Sequence, residues 1–146
     1  STLDRSSAAS DVYKDIGHLT IDPRGIQCKC GAQGCLERYV GREALETRRG
    51  NEAALVESAR ALGLAMAALT NILDVSLIII GGDLTNFFAE YKAEVTRLMH
   101  LHTIADEQRS LQITSSAYEM PTVRGAAIRG FRTLLDAPTE FGKFTR

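Results

Sequence analysis

Three thiols and one imidazole fall within one short stretch of the chain: His18, nine intervening residues, then Cys28, Cys30 and Cys35, which are all the cysteines present. These are soft or borderline donors, and four of them make the closed tetrahedral shell that zinc accepts, at about 2.0–2.3 Å to nitrogen and sulfur. With no coordination position left open, such an ion is structural and does not activate water. Gly31 and Gly34 stand among the ligands, where a chain bending back on itself needs residues that tolerate positive φ. An odd number of clustered cysteines suits a metal better than a disulfide framework. Unrelated thiols beside a casual histidine would not share so tight a spacing. A thioredoxin-like redox pair fits poorly too, since the motif is Cys-x-Cys and no strand directly precedes it. His100 and His102 lie two apart, on different faces of a helix, and read as surface residues.

The loop carrying these ligands needs elements to hold it. Leu19 and Ile21 alternate with polar residues and stop at Pro23 and Gly25, which marks a short strand leading into the cysteines. A helix is expected from about Leu36 to Arg48. Asn51 is a good N-cap, and Leu55, Ala59, Leu62, Met66, Leu69 and Leu73 then recur as one buried helix stripe. Ser76 to Ile80 reads as a buried parallel strand turning at Gly81-Gly82 into a helix whose inner face is Phe88, Tyr91, Val95, Leu98 and Met99. Leu111 to Thr114 alternates like a strand, and Pro121 opens a last helix through Val123, Ala127, Phe131 and Leu134. Strands alternating with helices imply an α/β architecture with a mainly parallel sheet. Residues 1–14 are polar, without a steady apolar period, and read as a loose arm or the remnant of a missing hairpin.

Composition narrows the function classes. The 146 residues are 45% apolar and 24% charged with a formal charge of -1, which gives no sign of disorder or of a duplex-binding surface. No apolar run approaches the eighteen or so residues that cross a bilayer, and the amino terminus lacks a signal peptide's pattern, so a cytoplasmic protein is expected. The chain opens on Ser1 and its first recognisable element begins mid-domain, which suggests a piece of something longer.

From Gly17 to Glu37 the order Gly-His, nine residues, Cys-x-Cys-Gly-x-x-Gly-Cys-x-Glu resembles the signature of the ROK (repressor, open reading frame, kinase) family. The long helix, the Ile78-Ile79-Ile80-Gly81-Gly82 turn and the terminal Gly125-Ala126-Ala127 helix resemble family counterparts as well. The resemblance implies an actin-like ATPase (ribonuclease H-like) fold, with residues 15–146 forming its carboxyl-terminal lobe around a zinc loop at residues 18–37. It also implies that Asp15, His18 and Glu37 contact a hexose-type sugar. Carboxylates accept hydrogen bonds from vicinal hydroxyls, and a metal-anchored loop would hold them still. Kinases of the family usually carry Glu where Asp15 stands. In a kinase of this fold Gly81 and Gly82 would lie near the nucleotide, but Asp83 replaces a third glycine often seen in the family, and its charge would not welcome phosphates.

The phosphate-binding Asp-x-Gly-x-Thr hairpin and the aspartate base of the family's kinases belong to the first lobe, and neither stands in these residues. Since positioning supplies most of phosphoryl-transfer catalysis, the chain as given is read as catalytically silent. The resemblance therefore points to the effector-sensing, oligomerising lobe of a sugar-responsive transcriptional regulator, with DNA contacted only through an upstream winged helix-turn-helix not present here. The alternatives are the second lobe of an ATP-dependent kinase for a hexose or N-acetylated amino sugar, and a stand-alone small zinc domain. The apolar surface of the two long helices suggests a homodimer or higher homo-oligomer.

Overall fold

The computed structural model describes residues 16–104, 111–118 and 121–136. The arm expected over residues 1–14, and Asp15 with it, lies outside the described residues. A single turn of 3-10 helix, Ile16–His18, leads into the cysteine loop. Then come α1 (Glu37–Val40), α2 (Arg42–Arg48), α3 (Glu52–Leu73), β1 (Leu77–Ile80), α4 (Leu84–His102), β2 (Gln112–Ser115) and α5 (Pro121–Asp136). The two strands pair in parallel, Leu77 beside Gln112 and Ile80 beside Ser115, with α4 as the crossover between them. The expected α/β order is therefore present.

The core forms where α3 lies against α4. Leu62, Phe88, Val95 and Met99 are almost fully buried there, and Ala59 and Ala65 let the two helices come close. Gly63 allows the tightest approach, since a Cβ at that position would sit 2.8 Å from both Leu98 Cβ and Val95 O. Both ends of α3 are where the residue types place them. The Asn51 side chain accepts from Ala54 N at 3.2 Å as the N-cap, and Asp74 closes the helix in the left-handed region with its N–H on Thr70 O. By length and composition α3 would serve as a membrane-crossing helix, contrary to the expectation from sequence, but half of its apolar window is buried within the fold, as in a core helix.

Other expectations are corrected. The helix foreseen over Leu36–Arg48 is two helices, because the chain is extended at Gly41 (φ -62°, ψ 156°). The strand foreseen at Leu19–Ile21 is reduced to an isolated antiparallel bridge, Thr20 with Cys35, because the turns of the cysteine loop leave no room for a continuing ladder. Leu73 does not join the buried stripe of α3, for it lies beyond the packed part of α4 and is exposed. On β1 only Ile80 is buried, and Leu77 and Ile79 are open on the side away from the helices. On α5, Val123, Ala127 and Phe131 are exposed rather than inward-facing; the Leu134 side chain lies outside those described.

The α3–α4 contact generates a stability prediction. Gly63→Ala gains helix propensity worth about 1 kcal/mol. The added methyl must nevertheless displace a backbone carbonyl in a packed interface, which costs about 1–3 kcal/mol. A net loss is expected, read as a lower urea midpoint at unchanged slope. A variant as stable as the parent would show that parting the helices costs no more than the propensity gained.

Candidate metal centre

The cysteine loop is built from turns. Asp22, Pro23, Arg24 and Gly25 form a β-turn in which Gly25 N donates to Asp22 O at 2.9 Å, with Pro in the position that favours its fixed φ. Asp22 Oδ1 accepts from Arg24 N within the same turn. A second, tighter hairpin is closed by Cys28 N on Ala32 O at 2.8 Å and carries Cys30 at its exposed tip. The return limb is fastened by Gly34 N on Ile26 O and by Ile21 N on Gly34 O. Gly34 has φ 67°, and a methyl group there would collide with the Asp22 carbonyl, so glycine is required twice over.

This folding brings all four sequence-predicted ligands together, with every ligand atom within 4.8 Å of the others. His18 Nδ1 is 3.7 Å from Cys28 Sγ, and Cys30 Sγ is 3.6 Å from Cys35 Sγ. A tetrahedral centre with bonds of about 2.3 Å to sulfur has ligand–ligand edges of about 3.8 Å. A disulfide would need about 2.05 Å, and all three cysteines are free thiols. The donor set and its spacing therefore fit a metal ion. Cys28 and Cys35 are buried while His18 and Cys30 are exposed, so the shell faces solvent on one side.

The electrostatics of the loop point the same way. Hydrogen bonding to Cys28, first from the Cys30 backbone and then from the neighbouring thiols and His18, draws its thiol down to about 7. Burial, with the adjoining thiols, pushes Cys35 up to about 12. One thiol is thus ready to ionise at neutral pH in a place where another cannot, and a bound cation resolves the conflict by replacing protons.

The loop is tied to the helices behind it. Cys35 is followed by Leu36 and Tyr39, both in the core, and Tyr39 O accepts from the fully buried Ser58 hydroxyl of α3 at 2.7 Å. That bond satisfies a carbonyl at the end of α1 that has no helical partner. Arg48 lies over the Tyr39 ring at 5.3 Å, and Lys29 at the loop tip reaches Glu43 of α2 at 2.9 Å. The latter pair is well exposed and contributes at most about 1 kcal/mol.

Glu37 heads α1. Leu36 N donates to Leu19 O, so the helix that Glu37 opens starts directly from the limb that carries Cys35. The Glu37 carboxylate folds back over Gly41, where a side chain would strike it. Gly41 was not foreseen; its only signal in the sequence is a glycine inside an otherwise helical run. Gly81 and Gly82 stand elsewhere, at the end of β1, with Gly82 at φ 67°. Asp83 after them forms an ion pair with Arg42 of α2. This pair lies on the wall of a cavity of about 350 Å³ whose lining includes neither His18 nor Glu37.

The ROK family model matches residues 9–58, which contain the whole ligand loop. No curated protein matches the chain. Solved structures that share its fold include three ROK proteins. A ROK family transcriptional regulator described as a homologue of the E. coli MLC protein has a TM-score of 0.62 at 20% identity, over 73% of this chain and 35% of its own. The ROK hexokinase from Thermus thermophilus has a TM-score of 0.56 at 22% identity, over 70% of this chain and 43% of its own. A ROK family glucokinase from Streptomyces griseus, in complex with glucose and AMPPNP, has a TM-score of 0.54 at 22% identity, over 69% of this chain and 45% of its own. The chain thus spans less than half the length of these ROK proteins, and its fold is part of their actin-like ATPase architecture.

The two thiol shifts set a pH dependence for metal affinity. Between about pH 7 and 12 the ion must displace the Cys35 proton, and below about 7 it must displace that of Cys28 as well. Protons compete with the metal for the thiols, so affinity falls as pH falls, and more steeply below about 7, where the Cys28 proton must be displaced as well. Competition against a zinc-binding dye at a series of pH values measures the slope. A flat profile would mean that these thiols are not ligands.

Proposed function

We propose that this chain is the sugar-sensing and oligomerising lobe of a ROK-type transcriptional regulator, in which a structural zinc ion held by His18, Cys28, Cys30 and Cys35 supports a sugar-binding site. The observation that carries the reading is the convergence of these four ligands, with Glu37 two positions beyond the last of them in the chain. When bound, zinc supplies no reactivity here, since its shell is closed; it neutralises buried thiolates and stiffens the loop. An imidazole ligated through Nδ1 presents Nε2–H as an oriented donor, and the Glu37 carboxylate accepts from vicinal sugar hydroxyls. Asp15 is assigned to the same site from the family signature.

Asp83 supports the regulator over a kinase. It places a carboxylate, engaged by Arg42, at the Gly81-Gly82 turn where a kinase's phosphates would approach. DNA contact would rest with an upstream winged helix-turn-helix, and sugar binding would act by favouring one setting of the lobes over another. The reduced thiols suit a cytoplasmic protein. The second reading is the carboxyl-terminal lobe of a ROK sugar kinase, favoured by the likeness to the hexokinase and glucokinase folds.

Calorimetric titration of hexoses and N-acetylated amino sugars into the full-length protein tests the site. Saturable heat is expected, weakened by about 10–100-fold in Glu37→Ala through loss of hydrogen bonds to a charged group. Binding unaffected by that substitution would refute the assignment of Glu37, and ATP-dependent turnover of the sugar would replace the regulator reading with the kinase one. Ile72 and Leu73 of α3 and Leu101 of α4 are exposed and apolar, which supports self-association. Light scattering should accordingly give at least a dimer, and a monomeric full-length protein would refute it.

A further inference from the structure

We propose that Cys30 and Cys35 form an oxidation switch within the metal loop: peroxide joins them in a disulfide, the metal is released and the adjoining sugar site is loosened. The inference rests on the metal reading above and extends it to regulation. Its basis is the unequal placement of the three thiols. Cys30 stands exposed at the tip of the hairpin, whereas Cys28 and Cys35 are buried, so a small oxidant in solution reaches Cys30 first. Cys35 Sγ lies 3.6 Å from Cys30 Sγ, close enough to attack it once oxidised. Gly31, next to Cys30, has φ 96° and open space around its Cα, so the tip can adjust to bring the sulfurs to about 2.05 Å without a collision. Cys28 is the poorer partner for Cys30 because a single residue separates them, and a disulfide across so short a loop is strained.

The chemistry balances with hydrogen peroxide as the oxidant. The Cys30 thiolate attacks one peroxide oxygen, the O–O bond breaks, hydroxide leaves and Cys30 becomes a sulfenic acid. The Cys35 thiolate then attacks the Cys30 sulfur, the S–O bond breaks and a second hydroxide leaves. Two electrons pass from the two sulfurs to the peroxide, and the metal does not change oxidation state. Two of the four ligands are thereby withdrawn, and Cys28 and His18 alone do not close a tetrahedral shell. His18 and Glu37 then lose the anchor that fixes them, because Glu37 follows Cys35 by two positions and His18 is itself a ligand. The switch thus makes effector binding depend on the thiol redox state, reversibly so when reductant and zinc are restored.

The test uses the chain purified with zinc under reducing conditions, its metal content first measured by elemental analysis. A chain holding no stoichiometric metal would overturn the metal reading itself and, with it, the switch. With metal present, addition of hydrogen peroxide should release zinc to a chromogenic chelator in step with loss of two thiols, and peptide mapping should find Cys30 linked to Cys35. Reductant with added zinc should restore both. Cys30→His, which keeps four ligands without the exposed thiol, should hold its zinc at peroxide concentrations that empty the parent. Zinc retained by the parent with its thiols intact, a bridge from Cys28 to Cys30, or equal release from Cys30→His would each overturn the proposal and leave the metal site standing.

Discussion

Mutual repulsion among three closely set thiols, which one shared cation would relieve, is the constraint around which the amino-terminal half of this domain is arranged. Thiolates this close together cannot all be ionised, and Cys35 is fully buried. The loop that carries them has no regular ladder of its own, only isolated bridges and turns. A segment so short of backbone pairing and buried apolar area gains rigidity from a crosslink, which a metal on these four ligands would provide.

Rigidity in the loop matters because of what it adjoins. The limb that leaves Cys35 enters the core within one residue, through Leu36, and then Tyr39 and Val40. Ser58 of α3 fastens the end of that turn, so the metal loop and the main helical layer form one mechanical unit. Glu37 sits between the two anchors, fixed from one side by the ligand shell and from the other by the core. A carboxylate so placed has little freedom left to lose on binding a ligand. The same coupling would carry a change at the loop tip to Glu37.

The other half of the domain is organised differently. Helices α3 and α4 supply a dry interface with close backbone approach at Gly63, and the parallel pair β1–β2 lies beside α4. The sheet shows Leu77 and Ile79 on its open side, and α5 shows Val123, Ile128, Phe131 and Leu135. Parallel strands are ordinarily covered on both faces. The chain spans less than half of each ROK structure it resembles, so these surfaces correspond to a part, not the whole, of that architecture.

The ligand set was legible from sequence because metal coordination depends on residue type and spacing, and His18, Cys28, Cys30 and Cys35 declare both. The start of α3 was legible too, since Asn51 acts through local backbone chemistry. What sequence did not reveal depends on contacts between distant residues. The break at Gly41 goes with an extended backbone there, where a side chain would strike the Glu37 carboxylate, and the loss of a regular strand at Leu19–Ile21 follows from how the loop's turns close. The exposure of Leu73, Ile79 and Phe131 was hidden for a related reason: an apolar period shows which face would prefer burial, whereas the packing of other elements determines whether anything covers it. Only tertiary structure, likewise, could show that Cys30 alone among the thiols faces solvent, because exposure is a property of the folded surface and not of the motif.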